Sequence, residues 1–456
     1  MSWSGDAVSL VEAFRNKELS PVDAVQEVLA ADDPCNAFCH RDPEGALALA
    51  AVADVSKPFG GVPFAVKELE EVAGWPYPYG TKLLEGNIGA RTSIQVERMR
   101  DLGGAIPVVQ TTSPELGLVG YTSSKIHGTT RNPWDPARTP GGSSGGTAAA
   151  VSGGLVPIGT GSDGGGSIRI PAGYSGLVGL KTSFRTIPFG PPAPIEPLTV
   201  VTGCLSRSVR DTARWLDVVN GAHPLDPFSL PRVEGFEAGL FSRDFSRLRV
   251  AVLPTFGGAV VHPDIAAHVD SAANDLVKAI GATRVDVEFV LPETGAAWLA
   301  PALPIMWEGM GAFWPDIREL LTDEVAASMD VAKDYDIGMA AAIDPVRKLL
   351  NQAVADLFDQ VDLVLAATNP DDPYPAEGPS PTHVGEIAVE SYNAGRLTMP
   401  MNIALLPAIS LPSGLSAAGL PVGLQVVGPR HTDGLLLDVA AVYERAHPWP
   451  LTAPAR

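Results

Sequence analysis

Cysteine is scarce in this chain, with three in 456 residues, at positions 35, 39 and 204. Three thiols supply neither the paired framework of a small secreted protein nor a four-cysteine zinc site. Cys35 and Cys39 stand four apart with His40 beside the second, which superficially resembles a metal site. Reduced thiols of a cytosolic protein are the simpler reading. Cys204 has no catalytic partner near it in sequence and reads as a small core residue. Positive charge is also short: 32 Lys and Arg against 52 Asp and Glu, a formal net charge of −20. A surface of that sign repels phosphate backbones and anionic headgroups, which disfavours nucleic acid and membrane surfaces as partners. No apolar run reaches the roughly 18 residues of a membrane-spanning helix. The first residues, Met1–Phe14, lack the basic flank and apolar stretch of a secretory signal. A cytoplasmic location is the expectation.

What is present is the composition of a globular protein, 45% hydrophobic and 18% charged, long enough for a generous core. Residues 6–53 read as helical, with Ser20-Pro21 a helix start followed by Asp23 and Glu27. A short β-like run, Val62 to Val66, ends in Lys67, which places that lysine at the end of a buried strand. "TSIQVERMRDLGGAIPVVQTTSPE" reads as helix, glycine stop and strand. "YSGLVGLKTS" and "RLRVAVLPTF" read as further strands, and "VHPDIAAHVDSAANDLVKAIGA" as an amphipathic helix. Residues 296–350 are helical in pattern and carry Trp and Met. Near the C-terminal end, "DQVDLVLAATNP" reads as a strand, "PAISLPSGLSAAGLPVGLQVVGP" as two strands joined by a turn, and "TDGLLLDVAAVYERA" as a final helix. This alternation indicates an α/β protein. No linker divides it, so the expectation is one domain over residues 1–456. Within it, residues 1–60 form an N-terminal helical segment, 61–215 a core, and 296–350 a variable helical region.

Pro140 to Gly173 is dense in glycine, which raises the question of a phosphate loop. A Walker-type loop needs Gly-Lys-Ser/Thr opening a helix, and "GLKTS" (Gly179–Ser183) has a leucine between glycine and lysine. A dinucleotide fingerprint fails as well, because "GSDGGGSIR" runs into "IRIPAG", where proline interrupts a helix. Nucleophilic catalysis fits better. A serine attacking a carbonyl needs a base and N–H donors for the oxyanion that forms. Glycines before a serine let backbone N–H groups converge on a small anion. "DGGGS" is such a loop, with Ser167 as nucleophile. The eight histidines are scattered and none stands in a recognisable triad motif. A buried lysine held neutral can serve as base instead, and Lys67 is the candidate. Taken singly, Lys67 reads as a strand-end surface lysine, Ser143 as a turn hydroxyl and Ser167 as a helix N-cap.

Together, "GGVPFAVKE", "NPWDPARTPGGSSGGTAAAVSGGLVPIGTGSDGGGSIRIPAGYSGLVGLKTS" and "GLPVGLQVVG" resemble the amidase signature family over most of the chain. The resemblance implies a large mixed β-sheet core flanked on both sides by helices. It also implies a Ser-cisSer-Lys triad, hydrolysis of a small-molecule amide, and no metal or organic cofactor. By position it assigns Lys67 as general base and acid. Ser143 becomes the bridging serine, with a cis peptide, and Ser167, 24 residues later, the nucleophile. The N–H groups of Gly164, Gly165, Gly166 and Ser167 match the oxyanion hole. Dimers are common in the family, so a homodimer is a further expectation.

Three positions depart from the common pattern. Glu68 follows the lysine where Asp is usual, Ser162 replaces a Thr, and Gly164 stands where Thr often does; Asp163 is retained. Gly164 predicts a more flexible loop, or room for a bulkier acyl group. Pocket-shaping segments are "WPYPYG" (Trp75–Gly80), "IMWEGMGAFW" (Ile305–Trp314) and the loop around Tyr374. Met306, Trp307, Met310, Phe313 and Trp314 either line an apolar substrate pocket or simply pack a helical subdomain. The expected substrate is a small, partly hydrophobic amide, anilide or carbamate. Two alternatives remain: the glutamine-hydrolysing component of a tRNA-dependent amidotransferase, and a non-catalytic scaffold on the same fold. The intact set of triad residue types gives no motive for the second.

Overall fold

The computed structural model describes residues 3–454. Three helices open the chain. α1 (Ala7–Arg15) is capped by Asp6, whose carboxylate accepts the Ser9 N–H. α2 (Pro21–Ala30) starts on a Ser20–Asp23 capping box with Pro21 in its first turn. α3 (Pro43–Ala51) follows. The expected continuous helical segment is broken between α2 and α3, where Phe38–Arg41 forms strand β1. The cause is local. Asp33 accepts the N–H groups of Ala37 and Phe38, holding these residues out of a helix and leading the chain onto the sheet edge.

Ten more strands complete one sheet: β2 (Pro63–Lys67), β3 (Ile106–Thr111), β4 (Ile158–Asp163), β5 (Val178–Lys181), β6 (Val201–Ser206), β7 (Arg249–Val252), β8 (Thr283–Arg284), β9 (Leu363–Ala367), β10 (Ala408–Leu415) and β11 (Pro421–Val427). The spatial order is β1-β3-β2-β4-β6-β5-β10-β11-β9-β7-β8. Pairings are mixed. β3, β2 and β4 run parallel, as do β9, β7 and β8, while the strands between are antiparallel. Every residue of β2, β3, β6, β9 and β11 is buried, so both faces of the sheet are covered.

The covering helices are α4 (Ile94–Asp101), α5 (Gly145–Ser152), α6 (Arg169–Ser175), α7 (Val209–Val219), α8 (Pro263–Ile280) and, at the end, α14 (Asp433–Ala446). Between them come α9 (Gly295–Leu299), α10 (Leu303–Met310), α11 (Asp323–Ala332), α12 (Ile337–Gln360) and α13 (Met399–Ile403). One core joins α1, α7, α8 and α14 through Leu10, Trp215, Leu276 and Leu436. A second joins α2, α3 and α5 through Val28, Ala46 and Ala149. The large mixed sheet with helices on both sides is the architecture the family resemblance implies.

Two features of this frame position the site. β2 and β4 are parallel neighbours, with Ala65 opposite Gly159, so Lys67 and Ser162 emerge at the same sheet end. α5 starts against the end of β3, and a Cβ at Gly146 would fall 2.5 Å from the Thr112 nitrogen. Only glycine permits that approach, which sets Ser143 and Ser144 beside Lys67.

Candidate active site

Lys67 is completely buried. Its Nζ donates to Ser143 Oγ at 2.8 Å, Ser144 Oγ at 3.0 Å and Ser162 Oγ at 3.0 Å. Burial pushes the amine down to about 7, against the opposing charges of Glu70, Asp163 and Glu68. No carboxylate touches it among the described residues. A lysine held this way loses its proton near neutrality, and its lone pair then faces hydroxyls rather than water. Glu70 is buried as well, pushed up to about 7 by desolvation against hydrogen bonds from Gln95 and Ser93. The Gly142–Ser143 peptide is cis.

Ser167 lies where β4 turns into α6. The N-cap of α6 is Ile168, and no side chain caps it, so Ser167 does not serve as a helix cap. Its hydroxyl makes no hydrogen bond among the described residues and lines a pocket shared with Ser143, Ser162, Gly164 and Gly165. No direct hydrogen bond joins the Ser143 and Ser167 side chains. Their segments meet through the backbone, where Ser144 N–H donates to the Ser167 carbonyl at 3.2 Å.

Asp163 shapes the loop between them. Fully buried, it accepts the Gly166 N–H at 2.8 Å and the Ile168 N–H at 3.2 Å. Arg169 Nε and Nη2 reach its two oxygens at 3.0 Å each. Burial alone would raise this carboxyl, yet Arg169, Lys181 and Asn402 hold it well below the usual carboxylate range. Gly166, at φ +130°, takes a conformation that only glycine adopts readily. Its N–H is thus turned toward Asp163, while the N–H groups of Gly164, Gly165 and Ser167 have no hydrogen-bond partner among the described residues.

Sequence reasoning missed three site residues. Ser144 and Ser162 share the Lys67 amine with Ser143, a sharing that adjacency to Ser143 and Asp163 hinted at. Trp298 lines the pocket and donates through Nε1 to the Gly164 carbonyl at 2.8 Å. Of the pocket-shaping segments, "WPYPYG" contributes Tyr79. Beyond Leu116 and Ile195, which border both spaces, an apolar cavity of about 570 Å³ is lined by Met306, Met310 and Phe313. Trp307 and Trp314 do not line it. They pack on the Met306–Leu321–Val325–Met329 cluster, with Arg318 over the Trp314 ring.

Glu68, the residue in place of the usual Asp, ties neighbouring loops together. It accepts Ser113 N–H at 2.6 Å, Gly80 N–H at 3.1 Å and pairs with His127 Nε2 at 2.9 Å. Cys39, Glu68 and His127 are the three metal-type donors that cluster among the described residues. Burial pushes the Cys39 thiol well up, and it donates to Gln110 Oε1 at 3.6 Å. The sequence neighbours Cys35 and His40 lie outside that cluster, His40 standing edge-on to Trp75.

Comparison with known proteins agrees with this architecture. A family model described as Amidase matches residues 22–437. The putative amidase AmiA2 of Mycobacterium tuberculosis is 34% identical, covering 98% of this chain and 92% of its own length. A glutamyl-tRNA(Gln) amidotransferase component from Akkermansia muciniphila is 31% identical over 93% of this chain and 96% of its own. The crystal structure of a bacterial aryl acylamidase of the amidase signature enzymes superposes with a TM-score of 0.91 at 28% identity, covering 98% of this chain and 97% of that one. A buried lysine among serine hydroxyls on such a sheet, with these matches along its length, makes the chain a member of the amidase signature family of amide-hydrolysing enzymes.

Proposed function

We propose that the protein cleaves the C–N bond of a small, partly hydrophobic amide, anilide or carbamate through an acyl-enzyme on Ser167. The observation that carries this reading is the Lys67 amine, completely buried, pushed down to about 7 by that burial and 2.8 Å from Ser143 Oγ. A neutral amine has two N–H groups and one lone pair, so one of its three hydroxyl contacts must donate to it. Ser144 Oγ already donates to the Ser162 carbonyl at 3.4 Å. Of the other two, Ser143 stands nearer the amine, 2.8 Å against 3.0 Å for Ser162, and is the one the family resemblance assigns as relay.

In the forward step Ser167 Oγ bonds to the substrate carbonyl carbon. Its proton passes to Ser143 Oγ while the Ser143 proton passes to Lys67 Nζ, and the carbonyl electrons move to an oxyanion. The unpartnered N–H groups of Gly164, Gly165 and Ser167 stabilise that oxyanion. Gly166, expected in the same role, spends its N–H on Asp163 and acts by shaping the loop. Collapse breaks the C–N bond as the relay returns a proton to the leaving nitrogen. Water then attacks the acyl carbon by the same route, releasing the acid and free Ser167.

The substrate class rests on the pocket lining. Leu69, Tyr79, Leu116, Val200 and Trp298 face the site, and none of the lining residues is charged. The adjoining Met310–Phe313 cavity suits an aryl or alkyl substituent. A second reading, glutamine hydrolysis within an amidotransferase, is favoured by the Akkermansia relative. It is opposed by that uncharged lining, which offers nothing to the two charges of a glutamine main chain. Turnover of the isolated chain on a panel of acyl anilides, aryl carbamates, simple amides and glutamine decides between them. Preference for anilides or carbamates is expected; glutamine as the sole substrate would overturn the reading.

A further inference from the structure

Three consecutive glycines, Gly164 to Gly166, have little stiffness of their own, yet the loop is held at every peptide. In a trans peptide the C=O and the N–H of the next residue point in opposite directions. Fixing each carbonyl therefore fixes the N–H behind it. The Asp163 carbonyl accepts from Asn402 Nδ2 at 2.8 Å, which sets the Gly164 N–H. The Gly164 carbonyl accepts from Trp298 Nε1 at 2.8 Å, setting the Gly165 N–H. The Gly165 carbonyl accepts from Thr398 Oγ1 at 2.6 Å, setting the Gly166 N–H. The Gly166 carbonyl accepts from Ile170 N–H at 2.7 Å, setting the Ser167 N–H.

Thr398, the N-cap of α13, and Asn402 within it are completely buried, and Ile170 belongs to α6. Trp298 differs from these three anchors. It is half-buried on the five-residue α9 and is the one of the four that lines the pocket. Its indole lies so close over the loop that a Cβ on Gly165 would fall 2.5 Å from Nε1. An indole has a single donor and no acceptor, so its bond to Gly164 has one possible sense.

We propose that Trp298 is a positioning residue for acyl transfer, holding the Gly164–Gly165 peptide so that the Gly165 N–H faces the developing oxyanion. It replaces, from a distant helix, the stiffness that Gly164 removes from the loop. This inference rests on the acyl-enzyme reading above.

The test is Trp298→Phe in the full chain, which keeps an aromatic wall and removes the donor, assayed on an acyl anilide beside wild type and Ser167→Ala. The expected result is a kcat lower by about 10- to 100-fold, short of the roughly 10²–10³-fold cost of deleting an oxyanion donor outright. KM should stay within about twofold, because the interaction belongs to the transition state. Affinity for an aryl boronic acid, a tetrahedral mimic, should fall in parallel with kcat. The isosteric benzothienyl analogue of tryptophan at position 298 should reproduce the effect should Trp298→Phe melt early. An unchanged kcat, or a rise in KM alone, overturns the inference and makes Trp298 a pocket wall. Failure of the acyl-enzyme reading looks different, as wild-type turnover surviving in Ser167→Ala.

Discussion

Lys67 Nζ and Ser143 Oγ share a 2.8 Å hydrogen bond at a place solvent scarcely reaches, the lysine at 0% and the serine at 2% exposure. Burial pushes that amine down to about 7, and the proposed role of Lys67 as base predicts a pH dependence of definite sign. Below about 7 the amine is protonated and has no lone pair for the Ser143 proton. kcat/KM should therefore fall about tenfold per pH unit on the acid side and level off above. Lys67→Arg should be inactive throughout, since a guanidinium stays charged. Glu70 is the leading opposing charge, raising the Lys67 amine. Glu70→Gln should move the acid limb to lower pH, as read from a kcat/KM profile.

Much of this candidate centre is legible in the sequence through the family resemblance, which assigns Lys67, Ser143 and Ser167 by their order and spacing in its motif. The rest depends on distance in space. Trp298 reaches Gly164 across 134 positions, from a helix too short to show a period. β4 hides in the glycine-rich stretch, where Gly159 and Gly161 weaken the strand pattern. β1 hides because its four residues are all half-buried and show no alternation. The lining of the adjoining cavity is half legible: Met310 and Phe313 border it, while Trp307 and Trp314 pack a helical cluster that residue type alone does not distinguish from a pocket.

Asp163→Asn should cost both stability and rate. Arg169 stays buried at 0% exposure with its carboxylate partner gone, a loss of about 3–5 kcal/mol for a broken buried pair. Denaturant melts read the first effect. A kcat decrease in the protein that remains folded reads the second, since asparagine keeps one acceptor oxygen and cannot hold both the Gly166 and the Ile168 N–H groups.

Met310→Trp should narrow the apolar cavity. For an anilide with a bulky substituent kcat/KM is expected to drop about tenfold or more, while a small aliphatic amide is little affected. Equal losses on both would show that the cavity does not receive substrate.

The central claim is that Ser167 carries the acyl group. Treating the protein with a fluorophosphonate and mapping the adduct by peptide mass spectrometry tests it most directly. The predicted result is a single adduct on Ser167, formed more slowly below pH 7 and absent in Ser167→Ala. An adduct on another residue, with Ser167→Ala still hydrolysing amide, would contradict it.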